Sequence, residues 1–232
     1  MSAVISLTTI PDRIAGIEPC IKSLCTQGLP VYLWAVRKIA RSETVLGELP
    51  KFLSTYPVHV QIVADRGPIT KLLPALEAGF DTILTADDDC VYGEGWAQGL
   101  LKYAADYPGK ALGYRGRVLT GEGYRNSTLV LKKCHKPTRV DIITGVFGAL
   151  YTRRMFDRGI YREWQKWPLN DDLLIAAHLK RRGVERMIVP RPCSIVRYGI
   201  QTIAPLSAIN TARKGRRNDQ GLRMLGLEVR HE

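Results

Sequence analysis

The stretch Asp81-Thr82-Ile83-Leu84-Thr85-Ala86-Asp87-Asp88-Asp89-Cys90-Val91-Tyr92 decides how the rest of the chain is read. Residues 82–86 are a short apolar, β-rich run bounded upstream by Gly79, the pattern of a buried strand. Three carboxylates follow at its C-terminal end, and such a run of like charges repels itself unless something positive sits beside it. Alternate residues of an extended segment point the same way. Asp87 and Asp89 are therefore expected to face one cation, with Asp88 on the other side. Hard oxygen ligands suit Mg²⁺ or Mn²⁺, which take one or two carboxylates together with the phosphates of a substrate. Ligands in open α/β sheets bind beyond the carboxyl ends of the strands, where these acids lie. The competing reading is an acidic turn that caps a helix starting near Glu94, since Asp is a good N-cap.

Upstream, Val58–Val63 reads as a strand that leads into Asp65-Arg66-Gly67-Pro68-Ile69-Thr70-Lys71. Thr70 is expected to cap a short helix over residues 71–78, and helix N-termini hold phosphates. The same loop read plainly is a solvated turn with a capped helix. Earlier still, residues 3–7 form a first apolar strand that exits into Thr8-Thr9-Ile10-Pro11-Asp12-Arg13, with Pro11 suited to a helix start. Ile14, Ile17, Ile21 and Leu24 then recur at helical spacing, which predicts a helix over residues 13–26. Gly28 and Pro30 end it, and Val31–Val36 is the next strand. Residues 37–50 read as a loop with a short helix.

Downstream, residues 93 to about 107 read as a helix, 110–115 as a strand, and 116–137 as a long basic loop with one or two hairpin strands. Two apolar runs, 140–143 and 146–151, flank Thr144-Gly145, where Gly145 and Gly148 allow either close ligand approach or tight packing. Trp164 and Trp167 lie in an aromatic, basic stretch and suit either stacking on a sugar or base or core packing. Asn170-Asp171-Asp172 opens a helix that closes at Gly183. Paired acids there are favoured by the helix dipole alone, and one of them also suits a general base. Residues 185–189 read as a late strand, followed by prolines and then the basic cluster Arg213-Lys214-Gly215-Arg216-Arg217.

With 232 residues and 45% hydrophobic content, the chain suits one large α/β domain with a tail. The expected division is residues 1–204, with a first half of about 1–92 and a second of 93–204, followed by a basic segment at 205–232. The net charge of +12 favours an anionic partner: nucleic acid, an anionic membrane surface or a phosphorylated substrate. No apolar run approaches a spanning helix and no signal peptide is evident. Five cysteines without a C-x-x-C pair suit reduced thiols in a cytoplasmic protein. A Walker A sequence and a complete dinucleotide fingerprint are both missing.

Each motif is weak alone, but their order resembles that of the GT-A glycosyltransferases, especially the family-2-like bacterial and viral branch. The resemblance spans residues 3 to about 190 and rests mainly on the stretches 83–89, 65–71 and 170–172. It implies a single Rossmann-like, nucleotide-diphospho-sugar transferase domain with a mixed, mostly parallel sheet. It also implies a divalent metal, Mn²⁺ or Mg²⁺, on Asp87 and Asp89, and a nucleotide-sugar donor, a UDP-sugar above all. Thr8, Pro11, Arg13, Asp65, Lys71, Asp87 and Asp88 would bind that donor. Asp172 or Asp171 would be the base of an inverting reaction, and Gly145, Trp164 and Trp167 would border the acceptor. The departure is Asn170-Asp-Asp where many members show Glu-Asp, which leaves the choice between the two acids open. For the acceptor, basic residues spread over several segments favour DNA carrying hydroxymethylated pyrimidines, duplex or with a flipped base. A lipid-linked or surface glycan reached at an anionic membrane is the alternative. A nucleotidyltransferase and a non-catalytic nucleic-acid-binding module are the rival classes.

Overall fold

The computed structural model describes residues 2–39, 44–121, 123–124, 126–130, 135–167, 170–200 and 216–227. Residues 213–215 of the basic cluster, Arg230, Cys134 and the basic loop residues 131–133 lie outside them.

Four parallel strands build the first half: β1 (Ala3–Thr9), β2 (Val31–Val36), β3 (Val58–Val63) and β4 (Thr82–Asp87). Parallel neighbours need crossovers. These are supplied by helix α1 (Glu18–Cys25) and, before β4, by the short helix α2 (Leu73–Glu77). The chain then makes β5 (Cys90–Tyr92), helix α3 (Trp96–Asp106), and strands β6 (Ala111–Gly113), β7 (Gly116–Val118), β8 (Thr128–Val130), β9 (Thr138–Val140), β10 (Ile142–Ile143) and β11 (Ala149–Thr152). Helices α4 (Gly159–Lys166) and α5 (Asp171–Arg181), strands β12 (Arg186–Ile188) and β13 (Ile195–Arg197), and helix α6 (Arg216–Met224) complete the order.

Eight strands form the central sheet in the order β3-β2-β1-β4-β11-β6-β12-β9. The chain adds β2 and β3 on one side of β1, then returns to place β4 on the other. The β1/β4 boundary is therefore the point where strand order reverses, and a crevice opens there beyond the strand ends. β11 runs antiparallel between β4 and β6, so the sheet is mixed but mostly parallel in its first half.

Both faces are covered. On one, Ile5, Leu7, Leu84 and Ala86 pack under α1 and α3 together with Ile17, Ile21, Leu24, Trp96 and Leu100. On the other, Val4 and Ile83 pack with Leu73 and Leu76 of α2 and Leu174 and Leu179 of α5. The period of two along β1 and β4 sends alternate residues into these two cores. A third cluster joins Leu173, Ala176 and Ala177 of α5 to Leu222 of α6 and to Leu227. The last helix is thus seated on α5.

Helix boundaries depart from the sequence expectation at two prolines. The helix expected over 13–26 divides into a 3-10 turn, Ile14–Gly16, and α1. Pro19 is tolerated only in a first helical turn, so α1 has to start just before it. Pro74 does the same for α2, which begins at Leu73. Thr70 is therefore not its N-cap. Its Oγ1 instead accepts the Arg66 N–H at 3.1 Å and braces the loop.

Candidate active site

The site forms where β1 and β4 exit the sheet. Asp87 is the last residue of β4 and shares a face with Ile83 and Thr85, toward α2 and α5. There Lys71 Nζ lies 2.8 Å from Asp87 Oδ1 and 3.0 Å from Asp171 Oδ2. Asp88 turns to the opposite face, where its Oδ2 accepts from Thr9 Oγ1 at 2.7 Å and its Oδ1 meets Arg13 at 2.7 Å. The alternation expected from an extended chain stops at this point. The strand ends at Asp87, and Asp88-Asp89 form a turn. Asp89 consequently stays beside Asp88. Its Oδ2 meets Arg13 at 3.2 Å and Arg197 at 2.8 and 2.9 Å, so it does not come back to Asp87's side.

Two tyrosines hold the turn. The Asp87 N–H donates to the Tyr92 hydroxyl at 2.7 Å, and that hydroxyl donates to the Asp87 carbonyl. The Tyr198 N–H donates to the Asp89 carbonyl, and its hydroxyl donates to that of Asp88 at 3.0 Å. Strand β13 pairs antiparallel with β5, Arg197 opposite Cys90, and this pairing brings both Arg197 and Tyr198 over the acids.

The opposite wall is the start of α5. Asn170 caps it, its side-chain oxygen accepting the Leu173 N–H at 3.1 Å while its Nδ2 donates to Asn218 of α6. Asp171 and Asp172 thus occupy the first helical turn, where the dipole favours negative charge. Asp172 Oδ1 accepts the Gly145 N–H at 2.8 Å. A Cβ on Gly145 would stand 3.2 Å from Lys71 Nζ and 3.4 Å from Asp172 Oδ1, so backbone, lysine and acid converge on one point. Thr144 Oγ1, next in the chain, is buried with no hydrogen-bond partner among the described residues.

Charge sets the protonation of these groups. Burial, followed by the neighbouring Asp171, raises the Asp172 carboxyl to about 7, and Lys71 and the Gly145 N–H only partly offset them. Burial raises Asp88 to about 6 against the pull of Arg13 and Thr9. Burial alone would lower the Lys71 amine, but Asp171, Asp87 and Asp172 together push it well above its ordinary value, so it stays charged. Four carboxylates, Asp87, Asp88, Asp89 and Asp171, contact the three cations Arg13, Lys71 and Arg197, and Asp172 adds a fifth acid beside them. The excess of negative charge suits a dication in principle. Asp88 has both oxygens engaged, whereas Asp87 engages one and leaves 26% of its side chain exposed. Among the described residues no three metal-type ligands cluster. Asp87, with one oxygen uncommitted, is therefore the carboxylate placed to hold a cation whose shell substrate phosphates would complete, as Mg²⁺ allows.

The other residues singled out from sequence are more dispersed. Thr8 Oγ1 donates to the Trp34 carbonyl at 2.9 Å, and Pro11 lies half-buried in the turn after β1. Asp65 Oδ1 accepts the Gly67 N–H at 2.7 Å and shapes its own loop. Trp164 packs against the core shared by α2 and α5, and Trp167 is buried against the position of Gly221 in α6. Thr9, Arg197, Tyr92 and Tyr198 were not expected from sequence. Only their pairing partners in the fold give them a role, and Arg197 lies 108 residues from Asp89.

This architecture, a mostly parallel mixed sheet with acids at the reversal of strand order, is the GT-A type of Rossmann-like α/β fold. Among solved structures, that of GalNAc-T7 with UDP, GalNAc and Mn²⁺ is similar to the chain, with a TM-score of 0.63 and 11% identity. The match covers 96% of this chain and 48% of that one, so the chain spans about half the length of that structure. No family model and no curated protein matches the sequence.

Proposed function

We propose that the chain is a glycosyltransferase that moves a sugar from a nucleotide-sugar donor, a UDP-sugar, to an acceptor hydroxyl with inversion. The observation that carries this reading is the meeting of two acid clusters across the β1/β4 crevice, joined by the buried ammonium of Lys71. The UDP and Mn²⁺ bound in the structurally similar GalNAc-T7 support the same donor chemistry. The order of motifs favours the family-2-like branch within the fold.

A bound Mn²⁺ or Mg²⁺ would supply Lewis-acid stabilisation to the departing diphosphate, and Asp87 is the carboxylate that would hold it, since Asp89, expected beside it, is turned away and gripped by Arg13 and Arg197. Lys71 beside Asp87 and Arg13 beside Asp88 add fixed positive charge on the two sides of the acid turn, where negative charge would develop as the bond to the sugar breaks. Asp172 takes the proton of the attacking hydroxyl. Its carboxyl is oriented by the Gly145 N–H, and its position near neutrality makes it both available as a base and strong enough to act. Asp171 is tied to Lys71 at 3.0 Å, which is why the base is assigned to its neighbour. Gly145 leaves space beside that base, and Thr144 Oγ1 offers an uncommitted polar partner there.

For the acceptor we propose DNA with hydroxymethylated pyrimidines, supported by the +12 charge and by basic residues spread over several segments. A salt titration of duplex DNA binding tests this, and little affinity at low salt moves the assignment to a lipid-linked or surface glycan. The donor reading is tested by a panel of nucleotide sugars assayed with Mn²⁺ in the absence of acceptor. The expected outcome is release of UDP that needs the cation and disappears in Asp87→Asn. Release of pyrophosphate would identify a nucleotidyltransferase. DNA binding with no turnover of any nucleotide sugar would identify a non-catalytic module.

A further inference from the structure

Arg197 sits on the acid turn in a way that charge pairing alone does not explain. Its Nε and one terminal nitrogen both contact Asp89 Oδ2, at 2.9 and 2.8 Å. A guanidinium carries five N–H groups in a planar fork, so these two contacts leave three donors. The arginine side chain is 59% exposed, while the Asp89 side chain it grips is 8% exposed. Asp89 also has Arg13 at 3.2 Å, so Arg197 brings a second guanidinium to it. One edge of the guanidinium neutralises a buried carboxylate, and the exposed remainder of the side chain is free to meet a ligand.

The geometry of the surrounding chain aims this residue at the crevice. The β13–β5 pairing sets Arg197 opposite Cys90, directly after the acids, and Tyr198 fastens the same segment to the carbonyls of Asp88 and Asp89. A planar fork held along one edge and free along the other matches the oxygens of a phosphate group.

We propose that Arg197 is a donor-binding residue, anchored on Asp89 and offering its free edge to the diphosphate of the nucleotide sugar. The inference rests on the donor chemistry given under Proposed function and adds to it a second source of positive charge besides the cation. Asp89 is the anchor that holds the fork in place. Beside two guanidiniums a dication is repelled and a diphosphate attracted, so phosphate binding survives in part when the cation is absent.

The test is binding of UDP and of uridine to the intact chain by calorimetry, with and without Mn²⁺, for the wild type, Arg197→Gln and Arg197→Lys. Arg197→Gln is expected to weaken UDP about tenfold or more without Mn²⁺, the range for losing a charge-assisted hydrogen bond. Uridine affinity should stay unchanged, and Arg197→Lys should recover part of the loss. Equal UDP affinity in wild type and Arg197→Gln overturns the proposal. A parallel loss of uridine affinity, or of thermal stability, also overturns it, because the residue would then be structural. No UDP binding by the wild type even with Mn²⁺ overturns the donor reading itself, and this inference with it.

Discussion

Replacing Asp171 by Asn is expected to let the enzyme work at lower pH. In the wild type, burial and then the adjacent Asp171 carboxylate raise Asp172 from the ordinary 3.8 to about 7. A base must be ionised to accept a proton, so activity rises as pH climbs through that value. Below the acid limb the ionised fraction falls up to about tenfold per pH unit, and the rate should fall with it. Asp171→Asn removes the like charge and frees Lys71, now paired only with Asp87, to favour ionised Asp172. Both changes act downward. A single neighbouring charge is worth on the order of one pKa unit at the effective dielectric of such sites, about 1.4 kcal/mol. The acid limb of kcat should therefore move down by about that unit, and at pH 6 the variant should keep a larger share of its own plateau rate than the wild type does. The assay is UDP release with saturating donor and acceptor between pH 5 and 9. An acid limb that stays in place, or moves up, refutes the assignment of Asp172 as the base under Asp171's influence.

Asp172→Asn should lower kcat by about 10²–10⁴ while leaving UDP affinity in place, as measured by calorimetry alongside turnover. Compared with the wild type, the same variant should gain stability at neutral pH but not at pH 4. A carboxyl raised by folding ionises less readily in the native state, so stability is lost as pH rises from about 4 to about 7, and denaturant titrations at both ends read it. Lys71→Met leaves Asp87 and Asp171 facing each other without their shared cation and should cost about 3–5 kcal/mol in chemical denaturation. Gly145→Ala places a methyl group 3.2 Å from Lys71 Nζ and 3.4 Å from Asp172 Oδ1. Activity should fall with little change in denaturation midpoint, and unchanged turnover would show that the space beside the base is not used.

The first four strands were legible because burial writes itself into sequence as short apolar runs: Val31–Val36 and Val58–Val63 coincide with the structure, and the others differ by one or two residues. The sheet's order follows from parallel pairing and crossover, so the crevice at the β1/β4 boundary was implied once the strands were found. Helix starts were less legible, although Pro19 and Pro74 carried the information, since proline at a first turn fixes the start more firmly than apolar spacing does. The positions of Asp87, Lys71, Asp171 and Asp172 in one site were expected from motif order alone. The partition of the three aspartates was not, because period two holds only while the strand continues, and the strand stops at Asp87. Arg197 left no local trace. An arginine in a three-residue strand acquires meaning only through a pairing made 108 residues away.

The position of Lys71 gives the two walls a physical connection. One buried ammonium neutralises the last acid of β4 and the first acid of α5 at nearly equal distances, 2.8 and 3.0 Å. Its charge opposes the rise in the Asp172 pKa, and it stands beside Asp87 on the wall proposed for the donor. Anything that draws Asp87 toward a cation must weaken that acid's claim on Lys71. The ammonium then acts more strongly on Asp171 and Asp172, which lowers the pKa of the base. Donor binding on one wall is thereby coupled to ionisation of the base on the other, without movement of the backbone. The acid limb measured for kcat should consequently lie below the one measured for kcat/KM with respect to donor, because the first reports the loaded site and the second the empty one. Coincident limbs would mean that Lys71 does not carry charge information between the walls.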